Sequence, residues 1–309
     1  MRTDLDHLPA NKQRELERVK QIIFEEFADS VALATMNWKK KGRIDKIILY
    51  GSYARGGWVD EPHTAKGYRS DFDLLIIVSD KRLTDKVDYW LKVEDRLNRE
   101  LAIDKTLHTP VNFIVHTMQE VNDGLAHGRY FFMDVAKDGI GLYEFDDKEL
   151  HKPKPKTPKQ ALAMAQEYFE EWYPSAVVYL NTSRDLMGQK RPKEAAFILH
   201  QSAERLYHCV LLVCTFYTPH VHNLGFLRTQ AERIDMRLVD AWPRELKADR
   251  SRFEKLKEAY VKARYSKHYR ISEEELRWLG ERVEDLGRAV HAICSERIAQ
   301  LEAAAQAHR

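Results

Sequence analysis

A stretch of nine residues divides the chain into two parts of different character. Residues 151–159 read His-Lys-Pro-Lys-Pro-Lys-Thr-Pro-Lys, with three prolines, four lysines and no apolar residue. Prolines at this density oppose both helix and strand, so an extended, solvated linker is predicted here. A chain of 309 residues is long enough to form a core on each side of it. The predicted domains are therefore residues 1–150 and 160–309.

The part before the linker alternates short apolar runs with helical stretches, whereas the part after it is helical. The predicted strands are Ile44–Tyr50, Leu74–Val78, Val111–Val115 and Ile140–Tyr143. Beyond the linker, apolar residues recur at spacings of three and four, as on one face of a helix. These runs are Leu162–Tyr179, Ala196–Val213, Phe253–Ala263 and Leu276–Ile293. Pro174 indicates a kink or a new segment, and Ser272 with Glu275 forms a capping box. The predicted class is α+β, followed by an all-α bundle of four or five helices.

Charge, cysteine content and hydropathy indicate in which compartment the protein is expected. A net charge of +2 is too small to predict nucleic-acid binding by itself. The three cysteines lack the spacing of metal ligands and fit a reducing cytoplasm. The N-terminus lacks the apolar core of a signal peptide, and no run reaches about 18 uncharged apolar residues. The sequence therefore predicts a cytoplasmic protein that does not span a membrane.

An anion-binding turn is predicted where the apolar run ending at Tyr50 meets Gly51 and Ser52. Glycine allows a phosphate to approach the backbone closely. Backbone N–H groups at the start of a following helix, together with the Ser52 hydroxyl, can donate to phosphate oxygens. Most Gly-Ser turns are only turns, so the prediction depends on the residues that accompany this one.

Two aspartates strengthen that prediction. Asp71 and Asp73 are two residues apart at the start of a predicted strand, so their side chains point to the same face, while Phe72 points into the core. Carboxylates this close repel each other unless a cation lies between them. Oxygen ligands of this kind suit Mg²⁺ held jointly with the phosphates of a nucleotide.

The motif Gly-Ser-x-Ala-Arg-Gly followed by Ser-Asp-Phe-Asp-Leu-Leu-Ile resembles the minimal nucleotidyltransferases of the DNA polymerase beta superfamily. The resemblance implies a mixed sheet flanked by helices. It also implies metal-dependent transfer of a nucleoside monophosphate from a nucleoside triphosphate, with ATP expected, to a hydroxyl on a protein or nucleic acid. In this chain, Asp71 and Asp73 match the catalytic ligands of Mg²⁺ or Mn²⁺. Gly51 and Ser52 match the nucleotide-binding pair, and Arg55 matches an arginine that contacts phosphate or braces the turn.

The chain departs from that family in two places. Asn112 stands on the predicted strand where a third carboxylate is expected, and it brings no charge and cannot act as a base. Asp104 or Glu94 is the alternative source of a carboxylate. The segment between the turn and the aspartates is also longer than usual, and is interpreted as a surface loop or, less favoured, a lid. Its aromatic residues are Trp58, His63 and Tyr68.

The helical half resembles HEPN domains (higher eukaryotes and prokaryotes nucleotide-binding), which are often fused to such transferases or encoded beside them. The residues that carry the resemblance are Ala-Phe-Ile-Leu-His-Gln-Ser-Ala-Glu-Arg-Leu-Tyr from position 196 and Ala-Tyr-Val-Lys-Ala-Arg-Tyr from position 259. Arg264 and His268 resemble the pair with which HEPN ribonucleases cleave RNA, although their spacing is one residue short. The other interpretation is a basic helix end that complements the helix dipole. Tyr269 would be a hydroxyl acceptor if the transferase modified its own bundle.

Another set of polar residues lies on one predicted helix. His200, Glu204 and His208 share a helical face, a spacing that a metal site can use. Buried hydrogen bonds to neighbouring helices are the favoured interpretation, because apolar stripes flank these residues. His220 and His222 are predicted to form a loop and a helix cap.

Four functions compete at this point. The leading one is nucleotidyl transfer to a macromolecular hydroxyl, in a context of the toxin–antitoxin type. The second makes the acceptor a small molecule such as an aminoglycoside, which needs an acidic cleft; the candidate carboxylates are Asp60, Glu61, Glu167, Glu170 and Glu171. The third is a nucleotide-binding regulatory module that has lost turnover, as the missing third carboxylate suggests. The fourth is a HEPN ribonuclease. A homodimer through the helical half is also predicted.

Overall fold

The computed structural model describes residues 1–32, 36–59, 70–219 and 221–307. The chain forms two compact units that divide between Pro155 and Lys156, inside the predicted linker. None of the helices in the described ranges has the length and apolar character needed to cross a membrane. Five residues named above lie outside the described part of the chain: Asp60, Glu61, His63, Tyr68 and His220.

The N-terminal unit is built on a sheet of four strands. They are β1 (Ile44–Tyr50), β2 (Phe72–Val78), β3 (Val111–Thr117) and β4 (Ile140–Glu144). The strand order is β3-β2-β1-β4, in which β2 and β3 are parallel and the other two pairs are antiparallel. The sheet is therefore mixed, and the four strands predicted from apolar runs are confirmed.

Helices cover both faces of this sheet. They are α1 (Ala10–Ala32), α2 (Asn37–Lys40), α3 (Ser52–Arg55), α4 (Leu91–Ala102), α5 (Met118–Ala126) and α6 (Tyr130–Asp138). On one face, α1 and α4 bury apolar side chains with Phe72 and Leu74 in a single core cluster. On the other face, Phe131 of α6 lies edge-on to Tyr50, with ring centroids 5.3 Å apart. Because side chains alternate along a strand, Phe72 points into the first layer and Asp73 points the other way.

The predicted linker is partly tied to the N-terminal unit. The backbone N–H of His151 donates to Oδ1 of Asn122 at 2.8 Å, and that of Lys154 donates to the Leu125 carbonyl oxygen at 3.0 Å. Its last two residues are helical, contrary to the prediction that it extends to residue 159, because the next helix begins at Pro158. Proline is tolerated at the first position of a helix, where its missing N–H is not needed.

The C-terminal unit is a helical bundle. Its helices are α7 (Pro158–Gly188), α8 (Pro192–Thr215), α9 (Leu224–Glu232), α10 (Lys247–Tyr265) and α11 (Glu273–Ala307). The residues described in this unit form no strand, which confirms the predicted all-α bundle. The apolar positions predicted at spacings of three and four are all buried: Ala196, Leu199, Ala203, Leu206, Val210 and Val213 on α8, and Leu276, Leu279, Val283, Leu286, Val290 and Ile293 on α11. Ser272 and Glu275 exchange both hydrogen bonds of the predicted capping box at the start of α11.

The contact between α7 and α8 is the most extensive one between described helices of the bundle. Pro174 is exposed and lies inside a continuous α7, so the missing backbone hydrogen bond neither ends the helix nor starts a new segment. Two buried hydroxyl groups join the helices: Ser183 Oγ donates to the Ala195 carbonyl oxygen, and Ser202 Oγ to that of Ala176, both at 2.8 Å. Small side chains at these positions allow the two backbones to come close.

Candidate functional site

The turn between β1 and α3 has a conformation that favours glycine. Gly51 lies at φ 80° and ψ −150°, a region that residues with a Cβ rarely adopt. The chain then forms a single helical turn, in which the N–H of Arg55 donates to the Gly51 carbonyl oxygen at 3.2 Å. The strand thus ends abruptly, with the backbone of Ser52 at its carboxyl end. This is the turn that the sequence predicted as an anion site.

Residues near the N-terminus brace this turn from outside. Arg2 Nη2 donates to the carbonyl oxygen of Ala54 at 2.6 Å, and His7 Nε2 donates to that of Tyr53 at 2.8 Å. Tyr53 is itself fully buried and packs against Phe72, with ring centroids 4.5 Å apart. The backbone of α3 is therefore held in place by groups far away in the sequence.

Arg55 lies exposed at the end of α3. Its side chain makes no hydrogen bond or ion pair with the residues that the structure describes. A charged neighbour is Asp134 of α6: loss of hydration raises the pKa of Asp134, and the positive charge of Arg55 opposes that rise. Arg2 and His7 brace the turn, and the exposed guanidinium of Arg55 is a group of the kind that binds anions.

The two aspartates lie beside the turn. Asp73 pairs in register with Tyr50 of β1 on one side and with Asn112 of β3 on the other. Because Tyr50 directly precedes Gly51, Asp73 is next to the turn. Asp73 is 0% exposed and Asp71 is 9% exposed. Carboxylates buried to this degree need compensation from hydrogen bonds or a cation.

Asn112 lies at the strand position where a third carboxylate was expected. Its Nδ2 donates to Oδ2 of Asp71 at 2.8 Å. The alternative carboxylates do not reach this place. Glu94 and Asp104 belong to α4 and the loop after it, and α4 packs on the opposite face of the sheet. There they form ion pairs with basic residues at 2.8 and 3.6 Å, respectively.

The first residues of the segment that follows the turn pack against the N-terminal unit. Trp58 is partly buried and stacks on Tyr53, with ring centroids 5.4 Å apart and an interplanar angle of 9°. His63 and Tyr68, the other aromatic residues of the predicted loop or lid, lie outside the described residues. Trp58 therefore contributes to the packing around α3.

Three of the five carboxylates considered for a polycationic acceptor are described. Glu167, Glu170 and Glu171 are exposed on α7. Asp60 and Glu61 lie outside the described residues. The three described carboxylates therefore lie on the surface of one helix.

The donor chemistry of the aspartate pair limits what it can bind. Within the described ranges, no group of three or more His, Cys, Asp or Glu side chains is arranged to hold a metal ion. Mg²⁺, however, commonly takes one or two carboxylates and fills its remaining positions with water and substrate phosphates. Asp71 and Asp73 therefore fit an ion that arrives with a nucleotide.

Arg264 lies at the end of α10 on a platform of aromatic rings. Its guanidinium carbon is 4.4 Å from the ring centre of Tyr260 and 4.9 Å from that of Phe197. Its Nε donates to the carbonyl oxygen of Tyr260 at 2.6 Å. The side chain is exposed and forms no ion pair with any described residue. A guanidinium in this state is suited to binding an anion.

His268 and Tyr269 follow in the loop after α10. The backbone N–H of His268 donates to Oγ of Ser266 at 3.2 Å, and its side chain is exposed. Tyr269 is only 5% exposed, and its hydroxyl donates to the Lys255 carbonyl oxygen at 3.0 Å. Burial raises the pKa of this hydroxyl. The Tyr269 hydroxyl is therefore hydrogen-bonded inside the bundle and is not exposed as an acceptor for a nucleotide.

Comparison with known proteins adds one finding. A protein-family model for the HEPN domain matches residues 169–293, from within α7 to within α11. A HEPN domain occupies this part of the chain. The resemblance that the sequence indicated for the helical half is thus confirmed. A search of curated proteins found no significant match, and no nucleotidyltransferase family model matches the N-terminal half.

The HEPN domain contains a buried carboxylate with three histidines around it. Glu204 of α8 is 7% exposed. Nε2 of His200 and Nε2 of His208, each one helical turn away, are 3.4 and 3.8 Å from its oxygens. His222, in the loop before α9, places Nδ1 at 3.1 and 3.2 Å from the two carboxylate oxygens. Burial acts to raise the pKa of Glu204, but the interactions with His200 and His222 outweigh it and lower the pKa.

Two of these histidines form hydrogen bonds between elements of the HEPN domain. Nδ1 of His200 donates to the carbonyl oxygen of Leu256 in α10 at 2.9 Å. Nδ1 of His208 is hydrogen-bonded to Oγ1 of Thr218 at 2.6 Å. These contacts are the buried hydrogen bonds that the sequence favoured over a metal site.

His222 has contacts that the sequence did not predict. The cap of α9 is Asn223, whose Oδ1 accepts from the N–H of Phe226 at 3.2 Å. His222 instead bonds to Glu204 and stacks on Tyr260, with ring centroids 4.3 Å apart and an interplanar angle of 18°. No local motif signals these contacts, because Tyr260 and Glu204 belong to other helices.

Proposed function

We propose that the N-terminal unit transfers a nucleoside monophosphate from a nucleoside triphosphate to a hydroxyl acceptor. The observation that supports this most directly is the register of Asp73 with Tyr50, the residue directly before the Gly51 turn. The register makes a turn suited to anions and a pair of carboxylates immediate neighbours. Phosphoryl and nucleotidyl transfer depend on such positioning and on charge stabilisation, more than on covalent chemistry by the protein.

In this proposal the residues of the turn bind the triphosphate. The Ser52 hydroxyl and nearby backbone N–H groups donate to phosphate oxygens, and Arg55 adds positive charge. Asp71 and Asp73 would hold Mg²⁺ or Mn²⁺ together with the phosphates, and the bound ion would neutralise the charge that develops during transfer. Burial of the two carboxylates keeps bulk water away from them.

The proposed acceptor is a hydroxyl on a protein or nucleic acid, with ATP as the expected nucleotide and a toxin–antitoxin type of context. Asn112 cannot take a proton from that hydroxyl. We therefore expect slow turnover, limited by deprotonation of the acceptor. An aminoglycoside-type acceptor and a regulatory module without turnover are the alternatives that the experiment must separate.

The test uses the full chain with α-labelled nucleoside triphosphates and Mg²⁺ or Mn²⁺. Reactions contain no acceptor, RNA, cell protein or an aminoglycoside. We expect label transfer to a macromolecule, reduced about 100-fold or more in Asp73→Asn. Asp104→Asn is the matched control, because its carboxylate lies outside the site. Nucleotide binding without transfer in every reaction would contradict the proposal and favour the regulatory module.

A second candidate function is cleavage of RNA by the HEPN domain. The domain match and the exposed guanidinium of Arg264, which has no ion pair among the described residues, favour it. Cleavage of a phosphodiester requires a cation at the phosphate and a group that accepts the proton of the ribose 2′-hydroxyl. We expect RNA cleavage in EDTA that is lost in Arg264→Ala and retained in Arg277→Ala, an exposed arginine of α11. Intact RNA after incubation with the wild-type chain would contradict this candidate.

A further inference from the structure

Glu204 holds the ring of His222 in one orientation. A carboxylate only accepts hydrogen bonds, so Nδ1 of His222 carries the proton that it donates over 3.1 and 3.2 Å. Nε2 is then the nitrogen that accepts a proton. The side chain of His222 is 56% exposed, whereas that of Glu204 is 9% exposed. This is the arrangement of a general base: a buried carboxylate behind the imidazole and solvent in front of it.

Tyr260 connects His222 with Arg264. The His222 ring stacks on Tyr260 at 4.3 Å, and the Arg264 guanidinium carbon is 4.4 Å from the same ring centre. The other ionisable groups around this place are His200, which packs against Tyr260 at 5.4 Å, and His208, which faces Glu204. A proton acceptor, His222, and a cation for phosphate, Arg264, therefore both contact the ring of Tyr260.

The other candidate histidine lacks such support. The ring of His268 makes no hydrogen bond, ion pair or ring contact with the residues that the structure describes. Its backbone N–H bonds to Ser266, and within the described part of the chain no hydrogen bond holds the imidazole itself. A general base acts from a fixed position within hydrogen-bond reach of the proton that it takes.

We propose that His222, and not His268, is the catalytic histidine when the HEPN domain cleaves RNA, with Arg264 binding the scissile phosphate. Glu204 is a positioning residue that acts through His222. The inference rests on RNA cleavage, the second candidate function. It differs from the Arg264 and His268 pair that the sequence resemblance indicated.

The proposed step balances with a single histidine. Nε2 of His222 takes the proton of a ribose 2′-hydroxyl while that oxygen forms a bond to phosphorus. The bond between phosphorus and the 5′ oxygen breaks, and the imidazolium returns the proton to the departing oxygen. The products are one RNA that ends in a 2′,3′-cyclic phosphate and one that begins with a 5′-hydroxyl. Neither water nor an external reactant is consumed.

The test compares the full chain with His222→Gln, His268→Gln and Glu204→Gln on total tRNA and on a labelled single-stranded RNA of random sequence. EDTA is present throughout, so that metal-dependent transfer does not interfere. We expect His222→Gln to reduce the cleavage rate about 100-fold or more. His268→Gln should reduce it less than about tenfold on the same scale.

Glu204→Gln has a readout that a purely structural role would not affect. We expect a loss of about 10–100-fold in kcat with little change in the KM for RNA, because Glu204 orients His222 and does not itself contact the RNA. A lower melting temperature with an unchanged kcat, or a raised KM with an unchanged kcat, would contradict the positioning role.

The outcomes separate this assignment from RNA cleavage itself. If the wild-type chain cleaves RNA, and activity is lost in His268→Gln but kept in His222→Gln, RNA cleavage stands and the assignment is overturned. If the wild-type chain cleaves no RNA, both are overturned. His222 is exposed, so its variant is expected to fold. Should His222→Gln nevertheless lower the melting temperature, His222→Asn repeats the comparison with a smaller side chain.

Discussion

Asn112 donates a hydrogen bond from Nδ2 to Oδ2 of Asp71 over 2.8 Å, on the strand beside Asp73. A third carboxylate at this position would repel the other two, whereas the amide stabilises the charge of Asp71. The contact therefore lets two buried carboxylates stand side by side without a third negative charge. Because the side chain of Asn112 cannot act as a base, β3 also lacks a proton acceptor at this position.

Replacing Asn112 by Asp is expected to make the stability of the N-terminal unit depend on Mg²⁺. A third carboxylate beside Asp71 and Asp73 should cost about 1–3 kcal/mol in the absence of a cation. Melting temperatures measured in EDTA and in Mg²⁺ should differ more for Asn112→Asp than for the wild type. Asn98→Asp, at an exposed position on α4, is the control. Equal responses of the two variants to Mg²⁺ would mean that the aspartates do not form a cation site.

Gly51→Ala is expected to destabilise the N-terminal unit by about 1–3 kcal/mol, because a Cβ is strained at the φ and ψ of this turn. Gly57→Ala is the matched control: an added Cβ there would meet no atom within 4 Å. The measurements are urea unfolding of the two variants and, for each, amide hydrogen exchange in β1. Similar losses in both variants would show that the turn is not conformationally restricted.

Tyr207→Phe is expected to destabilise the HEPN domain. Trp242 Nε1 donates to the Tyr207 hydroxyl at 2.8 Å, and both side chains are almost fully buried. Removing the hydroxyl leaves a buried N–H without its acceptor, at a cost of about 1–3 kcal/mol. In the double variant, which carries both Tyr207→Phe and Trp242→Phe, the loss of unfolding free energy should be smaller than the sum of the losses in the two single variants. Additive losses would argue against this hydrogen bond.

The contribution of Glu120 to stability is expected to disappear in acid. A hydrogen bond from His116 lowers the pKa of Glu120, assisted by Lys81 and by the backbone N–H of Thr117. A carboxyl group whose pKa is lower in the folded state stabilises that state above its unfolded pKa, near 4.5, and loses this effect as the pH falls. The difference in melting temperature between wild type and Glu120→Gln should therefore shrink below that pH. A difference that grows in acid would contradict the sign of the shift.

Self-labelling of the chain is not expected to depend on Tyr269. Its hydroxyl is buried and donates to the carbonyl oxygen of Lys255, so it is not presented as an acceptor. In the nucleotide-transfer assay, Tyr269→Phe should incorporate as much label as the wild type. Mass spectrometry that maps a nucleotide to Tyr269 would show that the bundle opens during the reaction.

Much of the N-terminal site was predictable because it depends on local pattern. A run of apolar residues ending at Tyr50 indicates a strand that stops at a glycine, and alternation along β2 places Asp73 opposite in direction to Phe72. The neighbouring strand supplies Asn112 at the expected position. The same holds for α8 and α11, whose apolar stripes at spacings of three and four are buried throughout.

The contacts that give these residues their roles were not predictable in the same way. Asn112 and Asp71 are 41 residues apart, and His222 and Glu204 are 18 residues apart. Periodicity indicates which face of a strand or helix a side chain occupies, but not which side chain it meets on another element. The contact of the Tyr269 hydroxyl was not predictable for the same reason, because its acceptor is a backbone carbonyl of α10.

By itself, the sequence determined the two-part organisation, the strands, the helices and the glycine turn at the end of β1. These features follow from proline, glycine and apolar spacing, which act within a few residues of each other. Only the tertiary structure decided that α4 carries its carboxylates away from the aspartates, and that Glu204 orients His222. Those outcomes depend on how separate elements pack, and packing is set by the shapes of side chains that come from distant parts of the chain.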